Sequence, residues 1–182
     1  MPVNTQMDEQ RRLPTYVGKR PHGAMLDESR VYRYSLWRLW REDACLSGMA
    51  AFVGLNPSTA DETKDDPTIR RCIGFAQSWG LTGLVMLNIF AIRATDPQEM
   101  KQARYPIGEL NDEAIKRVAD SCGLVVCCWG NNGDHLGRGA AVRGLLRRQC
   151  GCAVWHLGLT KKGHPRHPLY LRSSTERIRW TN

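Results

Sequence analysis

The chain of 182 residues contains no apolar run that approaches the roughly 18 residues of a membrane-spanning helix. Residues 1–30 carry charges throughout and have no apolar core, so a secretory signal is not predicted. Repeats and low-complexity segments are also missing. We therefore expect a soluble, cytoplasmic protein that has no membrane partner.

The seven cysteines form no disulfide or metal-binding pattern. Their number is odd, and Cys127-Cys128 and Cys150-x-Cys152 fall on apolar runs without the C-x-x-C spacing of zinc or iron–sulfur sites. We interpret them as small core residues of an intracellular protein. No metal and no cofactor are expected.

Positive charge is the main feature of the composition. The chain has 26 Lys and Arg against 18 Asp and Glu, a formal net charge of +8. Such a surface attracts polyanions, because each phosphate contact releases condensed counterions. Nucleic acid is therefore the predicted partner. Charge alone does not distinguish DNA from RNA; DNA is the expected one of the two, and the chain is expected to be a monomer. The alternative is that the charge serves only solubility.

One compact domain is predicted over residues 25–182, since 182 residues are too few for two ordinary domains. Residues 1–24 are polar and contain Pro2, Pro14 and Pro21, which predicts a flexible N-terminal arm. Two strands, over Val31–Trp40 and Met49–Leu55, are expected to pair as a hairpin around Glu42-Asp43.

Three further apolar runs alternate with helical patterns. The runs are GLVMLN, ending at Asn88, GLVVCCW over Gly123–Trp129, and CAVWHLGL over Cys152–Leu159, the last predicted strand. The helices are expected from Pro67 or Thr68 to Gly80, over 112–119 and over 140–148. Strands that are apolar on both faces predict a three-layer α/β/α sandwich with a central, mainly parallel sheet.

Four polar loops follow the predicted strands, and the carboxyl ends of parallel strands hold ligands. The loops contain Asn56-Pro57-Ser58, Asn88-Ile89-Phe90, Trp129-Gly130-Asn131-Asn132 and Thr160 to His167. We expect all four to converge at one edge of the sheet. The Gly-rich segment 130–137 lacks the Gly-Lys-Ser/Thr of a phosphate-binding loop.

These stretches, in this order, resemble the uracil-DNA glycosylase superfamily: Gly54-Leu55-Asn56-Pro57-Ser58, Leu87-Asn88, Cys128-Trp129-Gly130 and His167-Pro168-Leu169. The chain also looks like an uncharacterised bacterial and phage family with the motifs LNPSTAD, DDPTIRRC and HPRHPLYL, which brings no established activity. The superfamily resemblance implies a uracil-DNA glycosylase-like fold. Two departures are Asn56, where active members have Asp, and a second histidine, His164, beside His167.

The resemblance implies a role for each loop. Asn56, with Pro57 and Ser58, would hold a water, and Asp61, Asp65 or Asp66 would act as base, since Asn cannot take a proton. Asn88 would read a flipped base, and Phe90 would stack on it. The alternatives are that Asn56 caps a loop or helix, that Asn88 ties backbone loops together, and that Phe90 belongs to the core.

The His-Pro loop is expected to complete the site. His167, or else His164, would donate to a base carbonyl, and Leu169 and Tyr170 would enter the duplex. The alternative is that His167 has a purely structural role. Six basic residues are candidates for phosphate contacts, although exposed cations often remain in water: Arg70, Arg71, Lys161, Lys162, Arg166 and Arg172.

The leading hypothesis is a DNA glycosylase-like hydrolase, in DNA repair or phage defence, that flips a damaged or modified base, a pyrimidine by preference. Cleavage of an N-glycosidic bond leaves positive charge on the sugar and negative charge on the base, so the site needs a water and hydrogen-bond donors on opposite sides. The first alternative is a non-catalytic protein that binds modified bases or nucleic acid. The second is an enzyme that acts on nucleotides or modified bases.

Overall fold

A computed structural model describes residues 20–148, 150 and 153–181. It contains seven strands and four α-helices, with 3₁₀ segments at Leu46–Gly48, Asn131–Gly137 and Pro168–Tyr170. The strands are β1 (His22–Leu26), β2 (Arg33–Leu39), β3 (Met49–Gly54), β4 (Gly83–Asn88), β5 (Leu124–Cys127), β6 (Val154–His156) and β7 (Ile178–Arg179). The helices are α1 (Pro67–Ser78), α2 (Pro97–Gln102), α3 (Asn111–Ser121) and α4 (Arg138–Arg148).

All seven strands form one sheet in the order β1-β2-β4-β3-β5-β6-β7. The four central strands, β4, β3, β5 and β6, are parallel, as expected for apolar runs separated by helices. The outer strands β1 and β2 on one side and β7 on the other pair antiparallel. The predicted mixed α/β class with a mainly parallel centre is confirmed.

Helices cover both faces of the sheet because alternate strand residues point in opposite directions. Ala50 and Phe52 pack with Ile69, Cys72 and Phe75 of α1 on one face. On the other face, the intervening strand residues pack with α2, α3 and α4. The core is therefore divided between two layers, one on each side of the sheet.

Helix α1 shows how local sequence fixes the start of a helix beside the candidate loops. The Asp66 side chain accepts a hydrogen bond from the Ile69 N–H at 2.8 Å, and Pro67 occupies the first helical position. Gly80, with φ +73°, follows the end of the helix. The predicted start is confirmed, the helix ends at Ser78, two residues before the predicted Gly80, and the buried strand that ends at Asn88 is confirmed.

Several predicted elements require correction. The hairpin between the first two predicted strands is wrong, because β4 lies between β2 and β3, and β2 pairs instead with β1 and β4. β1 begins at His22, so residues 22–24 belong to the sheet rather than to an arm. Residues 1–19 lie outside the described residues. The strand after α4 is shorter than predicted and is followed by β7.

The sequence predicted that all of the cysteines are small core residues, but only some of the described cysteines are buried. Cys72, Cys127 and Cys128 are buried, and burial raises the pKa of the Cys128 thiol to about 12. Cys45 is exposed, contrary to its predicted core location, and Cys152 lies outside the described residues. Within the described ranges, no cluster of three or more potential metal ligands is found. In the same ranges, no helix has both the length and the apolarity needed to cross a membrane.

Candidate functional site

A cleft of about 390 Å³ lies at the carboxyl edge of the parallel strands. Each of the four predicted loops contributes to its wall, as expected where parallel strands end together. The residues that matter for its chemistry are Arg33, Asn56, Ser58, Asp66, Asn88, Asn131, Asn132, His167 and Tyr170. Asn56, Asn88 and His167 therefore face one space, although their roles stay predictions.

Arg33 is a cleft residue that the sequence did not point to. β2 is antiparallel to β4, so its first residue, rather than its last, lies at the carboxyl edge. The Arg33 guanidinium donates to the Ala60 carbonyl at 2.9 Å and to Asn88 Oδ1 at 3.2 Å. Burial lowers the pKa of Arg33 to about 10, which leaves the side chain charged at neutral pH.

The hydrogen bond from Arg33 fixes the orientation of the Asn88 amide. Oδ1 accepts from Arg33, and Nδ2 has no hydrogen-bond partner among the described residues although it is buried. The backbone at this point is also held, because Asn111 Nδ2 donates to the carbonyls of Asn88 and Ile89 at 3.0 and 3.1 Å. Asn88 therefore offers the cleft a rigidly placed donor.

The Asn56 amide stabilises the first loop. Its Nδ2 donates to the carbonyls of Pro57 at 2.9 Å and Ala94 at 2.8 Å, whereas Oδ1 has no protein partner in the part of the chain that the structure describes. An Asp at this position would place a carboxylate against two carbonyl oxygens, which accept but do not donate hydrogen bonds. The amide thus suits this loop and leaves Oδ1 to accept from a water.

His167 is held as a neutral donor at the entrance to the 3₁₀ turn Pro168–Tyr170. Its Nδ1 accepts from the Leu169 N–H at 3.4 Å, which assigns the ring proton to Nε2. Burial lowers the pKa of His167, an effect that the nearby Asp66 carboxylate opposes. The Tyr170 ring lies 5.6 Å from the His167 ring and is largely exposed.

Among the three nearby acids, only Asp66 lines the cleft. Asp61, the predicted base, accepts from the backbone N–H groups of Thr63 and Lys64 at 2.9 and 2.8 Å, and these bonds lower its pKa. Asp65 pairs with Arg38 at 2.7 Å. Asp66 caps α1 through Oδ1 alone, so its second oxygen is the carboxylate oxygen available to the cleft.

Other predicted base-binding residues lie elsewhere. Phe90 is fully buried in the core, where its ring meets the His135 ring at 5.6 Å, so the core alternative applies. Pro57 is buried and does not line the cleft. His164 pairs with Asp134 at 2.6 Å instead of facing the ligand space. Leu169 is exposed beside Tyr170, and its predicted entry into the duplex stays a prediction.

The predicted phosphate-binding residues differ in their exposure and in the contacts that they make within the protein. Arg71 donates to the Leu171 carbonyl and lies over the Phe75 ring at 5.2 Å. It therefore connects α1 to the segment that follows the His-Pro loop. Arg70 donates to the Asp65 carbonyl at 2.6 Å but is exposed. The others are exposed and lie on or just after the His-Pro loop: Lys161, Lys162, Arg166 and Arg172.

A larger groove, of about 1320 Å³, lies away from these residues. Its lining includes Tyr32, Tyr34 and Tyr105 together with four acids, Asp27, Glu28, Glu109 and Glu113. These carboxylates outnumber the two arginines of the lining, Arg104 and Arg117, and carboxylates repel phosphate; none of the predicted site residues lines this groove. The smaller cleft is therefore the better candidate for nucleic-acid chemistry.

Comparison with protein families finds one that is described as a protein of unknown function (DUF1643), matched over residues 33–169. The match begins at Arg33 and extends through His167, so it includes every cleft residue named above except Tyr170. No curated protein and no solved structure matches the chain.

Proposed function

The chain belongs to the DUF1643 family, and we propose that it is a DNA glycosylase-like hydrolase that binds a flipped, modified pyrimidine and cleaves its N-glycosidic bond. One observation carries this proposal: Asn56, Asn88 and His167, from three separate loops, line one cleft. Its volume of about 390 Å³ is at the lower end of ligand pockets and suits a single base. A uracil-DNA glycosylase-like fold, suggested by the order of the motifs, is part of the proposal.

In the proposed reaction, the bond between the sugar C1′ and the ring nitrogen of the base breaks, and its electron pair leaves with the base. The oxygen of a water molecule bonds to C1′ in its place. Asn56 Oδ1 orients this water, and Asp66 accepts the proton that the water releases before passing it to solvent. Asn88 Nδ2 and His167 Nε2 donate to acceptor atoms of the base.

A binding protein without hydrolysis is the second candidate, and two contacts favour it. The Asn56 amide nitrogen is committed to the backbone of its own loop, and Asp66 already serves as the cap of α1. A carboxylate that already accepts a helix-capping hydrogen bond has fewer lone pairs free to bind a water than an unpaired one. The same cleft would then recognise a modified base without cutting the bond.

The activity is tested by incubating the protein with duplex and single-stranded DNA that contain a panel of modified pyrimidines. Abasic sites and released bases are measured together, the latter by mass spectrometry. We expect release from DNA but not from free nucleosides. Asp66→Asn should retain the helix cap, since Asn is an equally good cap, and should reduce the excision rate by about 10²- to 10⁴-fold.

Asp65→Asn is the matched control, because it is the adjacent carboxylate and does not line the cleft. It should keep the excision rate near that of the original protein once folding is verified by circular dichroism. Tight, base-selective binding without any abasic product would reject the hydrolase and favour the binding protein. Release from free nucleosides at an equal rate would favour an enzyme of nucleotide metabolism.

A further inference from the structure

Arg33 is a buried cation without a direct anionic partner. It is 2% exposed, and among the residues that the structure describes no carboxylate forms an ion pair with it. Both of its hydrogen bonds go to neutral oxygens, and its Nε has no partner. A buried charge of this kind is costly unless something of opposite sign meets it.

The surrounding charges do not neutralise Arg33 fully. Asp66 and Asp61 act on it at longer range as anions, whereas Arg38 and Arg93 act as cations. These influences act in opposite directions, and burial still leaves the pKa of Arg33 lowered. An anion in direct contact with Arg33 would supply the partner of opposite charge that no described residue supplies, although the Asp66 carboxylate of the same cleft would repel it.

Asn88 adds a second open donor beside Arg33. Its Nδ2 is buried and unpartnered, and the neighbouring position on β3 is Gly54. A Cβ on Gly54 would lie 3.0 Å from Nδ2, so the absence of a side chain keeps the space beside this donor open. The two residues that carry these unsatisfied donor atoms, one of them a cation, both line the cleft.

We propose that Arg33 and Asn88 form an anion-recognition site, and that its ligand is a heterocyclic base in anionic form. This inference rests on the proposed function and names the charge state in which that site binds its base. When the glycosidic bond breaks, the electron pair remains on the base as negative charge that is shared between the ring nitrogen and the carbonyl oxygens of the base. Arg33 is then a charge-stabilising residue, and bases that form stable anions are the preferred substrates and products.

The experiment uses the full chain and measures binding of free bases by calorimetry at mildly alkaline pH. The probes are 5-nitrouracil, which is ionised there, and thymine, a neutral base that also carries a 5-substituent. Inorganic phosphate is a third probe that distinguishes a base anion from a simple oxyanion. We expect 5-nitrouracil to bind about tenfold to a hundredfold more tightly than thymine, the gain of a hydrogen bond to a charged group.

Variants assign this preference to Arg33. Arg33→Gln should abolish the difference between the two bases, and Arg33→Lys should retain part of it because the charge remains. Arg38→Gln is the matched control, since Arg38 is another buried arginine of β2 that donates to the 61–64 loop but does not line the cleft. It should keep the preference of the original protein.

Equal affinity for thymine and 5-nitrouracil, or no binding of either base, would overturn the proposal. Both outcomes are measured with the original protein, so this part of the test needs no variant. Phosphate that binds as tightly as 5-nitrouracil and is lost in Arg33→Gln would assign the site to phosphate and reject the base anion. The readout is binding rather than excision. A preference for 5-nitrouracil in a protein that releases no base would therefore refute the hydrolase and leave the anion site standing.

Discussion

Gly54 shows how one residue without a side chain shapes the cleft. It ends β3 directly beside Asn88 of β4. A Cβ there would lie 2.6 Å from Met86 Cε and 3.0 Å from Asn88 Nδ2. Met86 is flexible and can move, whereas Asn88 is held by Arg33 and by the fixed backbone.

Gly54→Ala is expected to lower the free energy of unfolding by about 1–3 kcal/mol through overpacking. Because the added methyl group displaces the Asn88 amide, affinity for the cleft ligand should fall as well. Urea unfolding and titration with 5-nitrouracil measure the two effects. Gly74→Ala is the control: its Cβ meets nothing within 4 Å on helix α1, so it should raise stability by about 0.5–1 kcal/mol. Unchanged ligand binding in Gly54→Ala would contradict the assigned role of this space.

The turn that carries His167 and the short strand β6 each contain a histidine that folding keeps neutral. Burial lowers the pKa of both His167 and His156, and in His156 the charge of Arg143 adds to this effect. His156 Nδ1 accepts from the Gly158 N–H at 2.9 Å. A proton on either ring therefore favours the unfolded chain.

Stability is accordingly expected to be greatest above the ordinary histidine pKa of about 6.5 and to fall as the pH decreases below it. In that range the unfolded state binds more protons than the folded state, so the free energy of unfolding rises with pH. Thermal melting between about pH 5 and 7.5 measures this slope. His167→Gln should reduce it. A slope that His167→Gln leaves unchanged would contradict the assignment.

The elements that were predictable from the sequence carry strong local signals. β3, β4 and β5 are continuous apolar runs, and α1 has its Asp66-Pro67 start. Strand order was not predictable, because the insertion of β4 between β2 and β3 depends on packing of distant segments. For the same reason, the sequence did not identify Arg33 as a cleft residue. Its alternation with apolar neighbours is typical of a solvent face, but the loop that contains Ala60 covers it.

The molecule as a whole places exposed positive charge near one edge of the sheet. Lys161, Lys162 and Arg166 are exposed on the loop that ends at the cleft residue His167. Arg41 lies at the opposite edge, two residues past the end of β2, where it pairs with Asp43 at 2.8 Å. If nucleic acid approaches the cleft, its backbone is expected to meet Lys161, Lys162 and Arg166 and not Arg41.

DNA binding by the protein is therefore expected to weaken log-linearly with salt concentration, with a slope of about 0.9 per duplex phosphate contact. Replacement of Lys161, Lys162 and Arg166 by Ala should lower the slope by about 0.9 for each phosphate that the variant no longer neutralises. Arg41→Ala should leave it unchanged. Fluorescence anisotropy at several salt concentrations measures the slopes. A slope near zero in the original protein would remove nucleic acid as a partner.

The walls of the cleft come from chain positions as far apart as Arg33 and Tyr170. During synthesis, a ribosome releases Arg33, Asn56 and Asn88 long before His167 follows. An incomplete chain thus lacks the wall that closes the cleft and bears no competent site. Copies of the chain that end before His167 are therefore expected to lack the proposed activity, whereas folding of the complete cleft would restore it.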